Sequence, residues 1–169
     1  MKQNKRQSFE EIYEQNQGMV HQMCLGFVKG DADIASDLSQ EVFISVWRNL
    51  EKFRGASSYK TWIYRITVNT CLQYVKKESK ERTYKTNELE NASSIAVESE
   101  HKNDEEIMEL YNAIGQLKKI DRLIIMMVLE NQSYESISEV IGINAINVRV
   151  KIHRIKKRLE KILKNKNDE

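Results

Sequence analysis

The absence of proline is the feature that most narrows the folds open to this chain. None of its 169 residues is proline and only six are glycine, so almost nothing in the sequence interrupts a helix. Apolar residues recur at spacings of three and four rather than two, which is the period of an amphipathic helix. The sequence therefore predicts an all-α fold.

Residues 132–159 have the pattern of two short helices joined by a tight turn. Ser133 can cap the first helix, Gly142 supplies the positive φ that a sharp turn needs, and Asn144 can cap the second helix. This arrangement predicts a helix-turn-helix. A narrow buried stripe on the second helix is predicted for Ala145, Val148, Ile152, Ile155 and Leu159.

The opposite face of that second helix suits DNA. From residue 145 to residue 166 the chain has nine Lys or Arg residues against one acid, Glu160. A charge run usually just solvates a helix, but this one follows a helix-turn-helix, and the bias favours phosphate binding. The side chains expected on this face, suited to base edges, thymine methyls and phosphates, are Asn147, Val150, Lys151, Arg154 and Arg158, with Ile146, His153 and Lys157 at its edge.

Charge divides the chain into three parts. The net charge is +3 over residues 1–77, −5 over 78–106 and +4 over 107–169. The acidic part is also poor in large apolar residues, which is typical of a segment that cannot bury enough surface to order itself. We therefore predict two small helical domains, at 8–77 and 106–165, joined by a flexible acidic linker at 78–105.

Several functional classes find no support in the sequence. Cys24 and Cys71 lie in apolar helical patterns, which predicts buried small side chains rather than a disulfide or metal pair. The three histidines show no zinc-ligand spacing, and no glycine loop could cradle a phosphate. We expect no catalytic site, metal or cofactor. No segment has the apolar length of a membrane span or signal peptide, so a cytoplasmic protein without membrane insertion is expected.

The N-terminal part contains a helix, at about residues 34–50, with two distinct sides. The apolar side, expected to face the core, holds Leu38, Val42, Phe43, Val46 and Leu50. The other side holds Asp37, Gln40, Glu41, Ile44 and Arg48, with Trp47 at the edge. This mixture fits either a solvated face or a protein-binding patch. The preceding apolar positions, Phe9 and Tyr13 among them, are interpreted as core.

Aromatic and basic residues then gather around a glycine turn in residues 52–77. The small residues 54–58, next to Phe53, Tyr59 and Lys60, could hold an unstacked base. Trp62 and Tyr74, at helical spacing, are interpreted mainly as core. One face of the next helix, within roughly an 80° arc, holds side chains that read base edges or meet phosphates: Arg65, Asn69, Gln73 and Lys76.

Two motifs together resemble a known family. The sequence DLSQEVFISVWRNLEKFRG followed by SSYKTWIYRITVN resembles region 2 of the extracytoplasmic-function (ECF) sigma factors, and residues 106–164 resemble their region 4. The resemblance implies a subunit that joins core RNA polymerase, recognises promoter minus-35 and minus-10 elements, helps melt the DNA and starts transcription. It also implies a further polymerase contact through region 4 and, in many members, an anti-sigma partner.

The resemblance assigns roles to particular residues. The clamp helices of the largest polymerase subunit would meet Asp37, Gln40, Glu41, Ile44 and Trp47. The minus-10 element would meet Phe53, Arg54, Ser57, Ser58, Tyr59, Lys60, Trp62, Arg65, Asn69 and Gln73. The minus-35 element would meet Asn147, Arg149, Val150, Lys151, His153, Arg154, Lys157 and Arg158.

The chain departs from the family pattern at two positions where members often have proline, Lys118 and Asn144. Each only starts a helix, so we expect the fold to tolerate both.

Two other functions compete with the interpretation of the chain as a sigma factor. A stand-alone helix-turn-helix regulator would bind duplex DNA without polymerase, and a small helical enzyme would need a catalytic set that the sequence does not show.

Overall fold

The computed structural model describes residues 2–84 and 102–167, and within these two ranges it contains helices and no β-strand. The helices are α1 (Lys2–Phe27), α2 (Ala32–Asn49), a short 3-10 helix (Leu50–Lys52), α3 (Tyr59–Tyr84), α4 (Lys102–Gly115), α5 (Lys119–Leu129), α6 (Tyr134–Ile141) and α7 (Ala145–Asn167). The predicted all-α fold is confirmed.

The helix starts follow from local chemistry. Asp31 has extended backbone angles, and its side chain accepts a 3.0 Å hydrogen bond from the backbone N–H of Ile34, so it caps α2. Lys118 occupies the equivalent position before α5 with φ −61° and ψ 146°. This backbone conformation is open to lysine as well as proline, so α5 begins where the sequence predicts a helix start.

The N-terminal half is built from α1, α2 and α3, which pack against one another. The apolar side predicted for α2 is buried, as expected, and so is the residue that follows the helix. These residues are Leu38, Val42, Phe43, Val46 and Leu50. The C-terminal half consists of α4 to α7, and α7 packs against α4, α5 and α6.

The two halves also pack against each other. Helix α1 lies against α4 and α5, and α3 lies against α5 and α6. The buried apolar side chains of both halves form one continuous cluster. We call this contact between α1 and α3 on one side and α4, α5 and α6 on the other the seam.

The helices extend into both ends of the predicted linker. Residues 78–84 belong to α3, and residues 102–105 belong to α4. These ends are rich in Lys, Arg and Glu, which are good helix formers. The rest of the predicted linker, 85–101, lies outside the described residues. Among the residues described, no helix has the length and apolar character needed to cross a membrane.

Candidate functional site

The polar side of α2 is exposed along its length, as its sequence predicts. We call Asp37, Gln40, Glu41, Ile44 and Trp47 the docking face. All five side chains are exposed, and Ile44 keeps 48% of its surface in contact with solvent. Ile44 and Trp47 together add exposed apolar surface beside two carboxylates, a combination that favours a protein-binding surface.

A groove of about 540 Å³ runs along the docking face between α1 and α2. Aromatic rings form much of its wall, and the Phe9 and Trp47 ring centroids lie 5.2 Å apart in an edge-to-face arrangement. Tyr13 meets Phe43 in the same geometry at 4.7 Å. The residues that line the groove are Phe9, Tyr13, Gln17, His21, Ser36, Ser39, Gln40, Phe43, Ile44 and Trp47.

The interpretation of Tyr13 as core needs correction, because 40% of its surface is exposed. Its ring contacts Phe43 of α2 and Phe9 of α1. Phe9 is half-buried and packs against the core, as expected. Sequence periodicity marks Tyr13 as an apolar helical position and cannot show how far a neighbouring helix covers it.

The aromatic loop, residues 53–60, is a compact stack. Phe53 lies on Tyr59 with ring centroids 4.3 Å apart and an interplanar angle of 27°, and Trp62 tilts against Phe53 at 5.0 Å. Gly55 turns the chain with φ +70°, a conformation that glycine adopts without strain. Trp62 is half-buried. It therefore packs as expected, and part of its ring remains exposed to solvent.

Two serines of the loop differ in what they can offer a ligand. The Ser58 hydroxyl accepts a 3.1 Å hydrogen bond from the backbone N–H of Thr61 and lies 3.0 Å from the Thr61 hydroxyl. Ser58 therefore caps the start of α3. Its position in the sequence, three residues before Thr61, is the signal that could have shown this. Ser57 is half-buried, whereas Arg54 and Lys60 are exposed.

We call Arg65, Asn69 and Gln73 the reading face of α3. Asn69 and Gln73 are exposed. Arg65 is engaged across the seam: its Nε and Nη2 donate to the backbone carbonyl of Glu139 at 3.3 and 3.2 Å, and Nη2 also lies 3.0 Å from the Glu139 carboxylate. The structure therefore brings one predicted DNA-reading side chain into contact with the helix-turn-helix.

The helix-turn-helix forms at the residues that the sequence predicts. The Ser133 hydroxyl accepts a 3.1 Å bond from the backbone N–H of Ser136, and Gly142 has φ +79°. The Asn144 side chain accepts a 2.8 Å bond from the backbone N–H of Asn147. The predicted stripe on α7 faces inward: Ala145 is half-buried, and the fully buried members are Val148, Ile152, Ile155 and Leu159.

The outer face of α7 carries the predicted minus-35 residues. Apart from Lys151 they are exposed, and Ile146 and Val150 add apolar surface, with 76% and 44% of each side chain open. Lys151 Nζ lies 2.9 Å from a carboxylate oxygen of Asp121 in α5. The Arg149 guanidinium carbon lies 5.6 Å from the centre of the Tyr134 ring. The exposed members predicted for this face are Asn147, Arg149, Val150, His153, Arg154, Lys157 and Arg158.

Comparison with known protein families identifies the class to which the chain belongs. Residues 12–81 match the family model described as Sigma-70 region 2, and residues 107–159 match that of Sigma-70, region 4. The fold and its two matched regions define a protein of the sigma-70 class, in which α1–α3 correspond to region 2 and α4–α7 to region 4.

Similar proteins indicate the subgroup of the sigma-70 class to which the chain belongs. The ECF RNA polymerase sigma-E factor of Escherichia coli K12 is 32% identical over 73% of this chain and 71% of its own length. The factor SigW of Bacillus subtilis is 26% identical over 98% of this chain and 94% of its own. The solved structure of the Bartonella quintana sigma factor RpoE, in complex with the anti-sigma factor NepR, superposes with a TM-score of 0.80 and 19% identity, covering 93% of this chain and 97% of that one.

The chain belongs to the ECF RNA polymerase sigma factors. Its role is therefore in the initiation of transcription together with RNA polymerase.

Proposed function

We propose that the chain joins core RNA polymerase through the docking face of α2, which contacts the clamp helices of the largest subunit. Asp37 and Glu41 provide negative charge, and Ile44 and Trp47 provide exposed apolar surface beside it. Interfaces of this kind combine an apolar anchor with a polar rim. The groove extends the same surface onto α1, so Tyr13 belongs to the contact as well.

The aromatic loop and the reading face of α3 take up the minus-10 element. Tyr59 is 43% exposed above Phe53, which leaves an aromatic surface on which an unstacked base can lie. Unstacking a base costs a few kcal/mol, and capture in a shaped site makes strand opening depend on the base present. Arg65, Asn69 and Gln73 have the donors and acceptors to read neighbouring bases.

The α7 helix places region 4 on the minus-35 element as duplex. Its exposed Asn147 and Arg154 can bond to base edges in the major groove, and Val150 can meet a thymine methyl. Lys157 and Arg158 lie further along the same exposed face and suit phosphates, which supply affinity but little sequence information.

An anti-sigma protein is a further partner in this proposal. One structural relative is the sigma factor solved in complex with the anti-sigma factor NepR, and another, CnrH, is solved in complex with the cytosolic domain of CnrY. The exposed aromatic groove of this chain offers the apolar surface that an inhibitor helix would need.

The exposed docking face is the observation that carries the proposal, because a stand-alone regulator has no use for it. Purified chain plus core polymerase should give specific transcripts from genomic DNA, and the triple variant D37A/Q40A/E41A should lose polymerase binding. The matched control E11A/E14A removes exposed carboxylates from α1 and should bind normally. Protection of a palindromic duplex by the chain alone, with no polymerase-dependent transcript, would instead support the stand-alone regulator.

A further inference from the structure

The exposed face of α7 is bounded on both sides by charged side chains that are bound within the C-terminal half. At 100° per residue, Arg149 and Lys151 point to opposite sides of Val150, so they lie at the two edges of this face. The Arg149 guanidinium lies over the ring of Tyr134 in α6, and Lys151 is paired with Asp121 in α5. The middle of the face, where Val150 is 44% exposed, is left open.

Asp121 is well placed to hold a cation. It lies in the first turn of α5, where the positive end of the helix stabilises a carboxylate. Its Oδ1 is shielded from solvent and lies 2.9 Å from Lys151 Nζ. The side chains of Asp121 and Lys151 are only 17% and 34% exposed. Moving Lys151 away would leave a shielded carboxylate oxygen without the ammonium that neutralises it, which is unfavourable.

The pairing matters because of where Lys151 lies. Side chains at the edges of a helix in the major groove face the DNA backbone on either side. A free lysine there is a flexible point charge that can bind any phosphate, so it adds affinity for all sequences alike. The ion pair with Asp121 withdraws the Lys151 ammonium from that role. Because specificity is the difference between specific and non-specific affinity, this withdrawal increases specificity.

We propose that Asp121 is a positioning residue that sets minus-35 specificity by holding Lys151 off the DNA backbone. Base recognition then falls to the open middle of the face, Asn147, Val150 and Arg154. Asp121 belongs to α5, outside the helix-turn-helix, and acts through Lys151 rather than through a DNA contact of its own. This proposal rests on the proposed minus-35 role of α7.

Asp121→Asn tests the proposal, because it keeps the shape of the side chain and removes the charge that holds Lys151. Fluorescence anisotropy gives the affinity of the holoenzyme for a promoter from the genomic transcription experiment and for the same promoter with altered minus-35 bases. Asp121→Asn should lower the ratio of these two affinities by about two- to fivefold, mainly through tighter binding to the altered promoter.

Salt dependence gives a second measurement on the same complexes. One added phosphate contact should make the plot of log affinity against log salt concentration steeper by about 0.9, so the D121N holoenzyme should lose about three- to fourfold more affinity than the original between about 50 and about 200 mM salt. Circular dichroism checks that the variant keeps its helices. A merely structural role of Asp121 would lower both affinities without a steeper slope, and that result would overturn the proposal.

Two further variants show whether the effect passes through Lys151. The double variant D121N/K151A should match K151A in affinity ratio and in slope, because the released ammonium is gone. Glu135→Gln removes one exposed carboxylate from the first turn of α6 and should leave the affinity ratio unchanged. An equal effect of Glu135→Gln, or an effect of Asp121→Asn that persists without Lys151, would overturn the proposal. An affinity ratio that stays the same or rises in D121N would overturn it as well.

Amine labelling tests the ion pair directly. Treatment of the free full-length chain with acetic anhydride, followed by mass spectrometry, should modify Lys151 several-fold more slowly than the exposed Lys157, and Asp121→Asn should remove most of this difference. Equal rates for the two lysines in the original chain would overturn the proposal even if the Asp121 variant failed to fold. Absence of transcripts from the original chain would refute the proposed function, and the labelling would still decide whether Asp121 holds Lys151.

Discussion

Arg122 of α5 donates a 2.9 Å hydrogen bond from Nη1 to the carbonyl oxygen of Phe27, the last residue of α1. Its Nε donates at 3.1 Å to the carbonyl of Leu117, just before α5 begins. A single half-buried guanidinium thus bonds to the carbonyl end of a region 2 helix and to the turn that precedes its own helix. Burial lowers the pKa of Arg122 from its ordinary value, yet arginine stays charged at any working pH, and the positive charge is favourable beside helix C-termini.

Arg122→Met should lower the free energy of unfolding by about 1–3 kcal/mol, because it leaves part-buried carbonyls without donors. Urea denaturation followed by circular dichroism measures the change. Lys119→Met, at an exposed position of the same helix, is the matched control and should change stability by less than about 0.5 kcal/mol. Equal effects of the two substitutions would show that the Arg122 bonds contribute little.

Tyr64→Phe should stabilise the protein or leave its stability unchanged. Tyr64 is fully buried in α3, and within the described part of the chain its hydroxyl has no hydrogen-bond partner. A buried hydroxyl without a partner carries a desolvation penalty of about 1–3 kcal/mol, which phenylalanine avoids. Tyr111→Phe is the contrasting variant, because it removes the bond to Gln22 and should destabilise by about 0.5–1.5 kcal/mol. Marked destabilisation by Tyr64→Phe would contradict this account.

The Tyr64 hydroxyl should make the free energy of unfolding fall at alkaline pH. Burial first, and then the negative charge of Glu130, raise the pKa of Tyr64 above its ordinary value of 10.0. As the pH rises, the unfolded chain therefore loses the phenolic proton before the folded chain does. The contribution of protonated Tyr64 to the free energy of unfolding is complete below pH 10 and declines as the pH rises further. Denaturation midpoints measured from pH 8 to the highest usable pH should fall less steeply for Tyr64→Phe. Parallel curves for the two proteins would argue against a shifted pKa.

Cys24 and Cys71 should resist alkylation in the folded chain. Both thiols are free and buried, and a hydrogen bond between them, followed by burial, raises the pKa of Cys71. The Cys71 thiolate is therefore scarce, and burial shields both sulfur atoms from the reagent. Iodoacetamide followed by mass spectrometry should detect two labels after denaturation and none before it. Rapid labelling of the native chain would show that α1 and α3 separate readily.

Two basic residues of α7 should respond differently to alanine substitution. Arg154→Ala should weaken binding to a minus-35 duplex by about 1–3 kcal/mol if it contacts a base, whereas Lys151→Ala should have a smaller effect, because Lys151 is paired with Asp121. Fluorescence anisotropy with holoenzyme gives both values. A larger loss for Lys151→Ala would mean that its ion pair opens on DNA.

Local chemistry made the fold and its caps predictable. Ser133, Gly142 and Asn144 act within three residues of their own positions, so their roles can be found in the sequence. The inner sides of α2 and α7 were equally predictable, because burial follows helical period.

The long-range contacts could not be predicted in this way. The Arg65–Glu139 contact joins residues 74 positions apart, and the Arg122–Phe27 hydrogen bond joins residues 95 positions apart. Nothing in their local sequence specifies these partners. The contact between Cys24 and Cys71 depends likewise on how α1 and α3 pack. The roles of the docking face and DNA-binding residues stay predictions, since burial shows which side chains are available and not what they bind.

Helix α3 ends at Tyr84 and helix α4 begins at Lys102, and the chain between these residues tethers the two halves. Between Tyr84 and Lys102 the backbone has 18 residue steps, and a fully extended chain gains at most about 3.3–3.6 Å per residue, or roughly 60–65 Å in all. This length is a ceiling on how far those helix ends can separate. Duplex DNA rises 3.4 Å per base pair along each strand, so the tether has the reach of roughly eighteen base pairs. The distance between two promoter elements that a single molecule can hold is therefore bounded by the covalent chain itself.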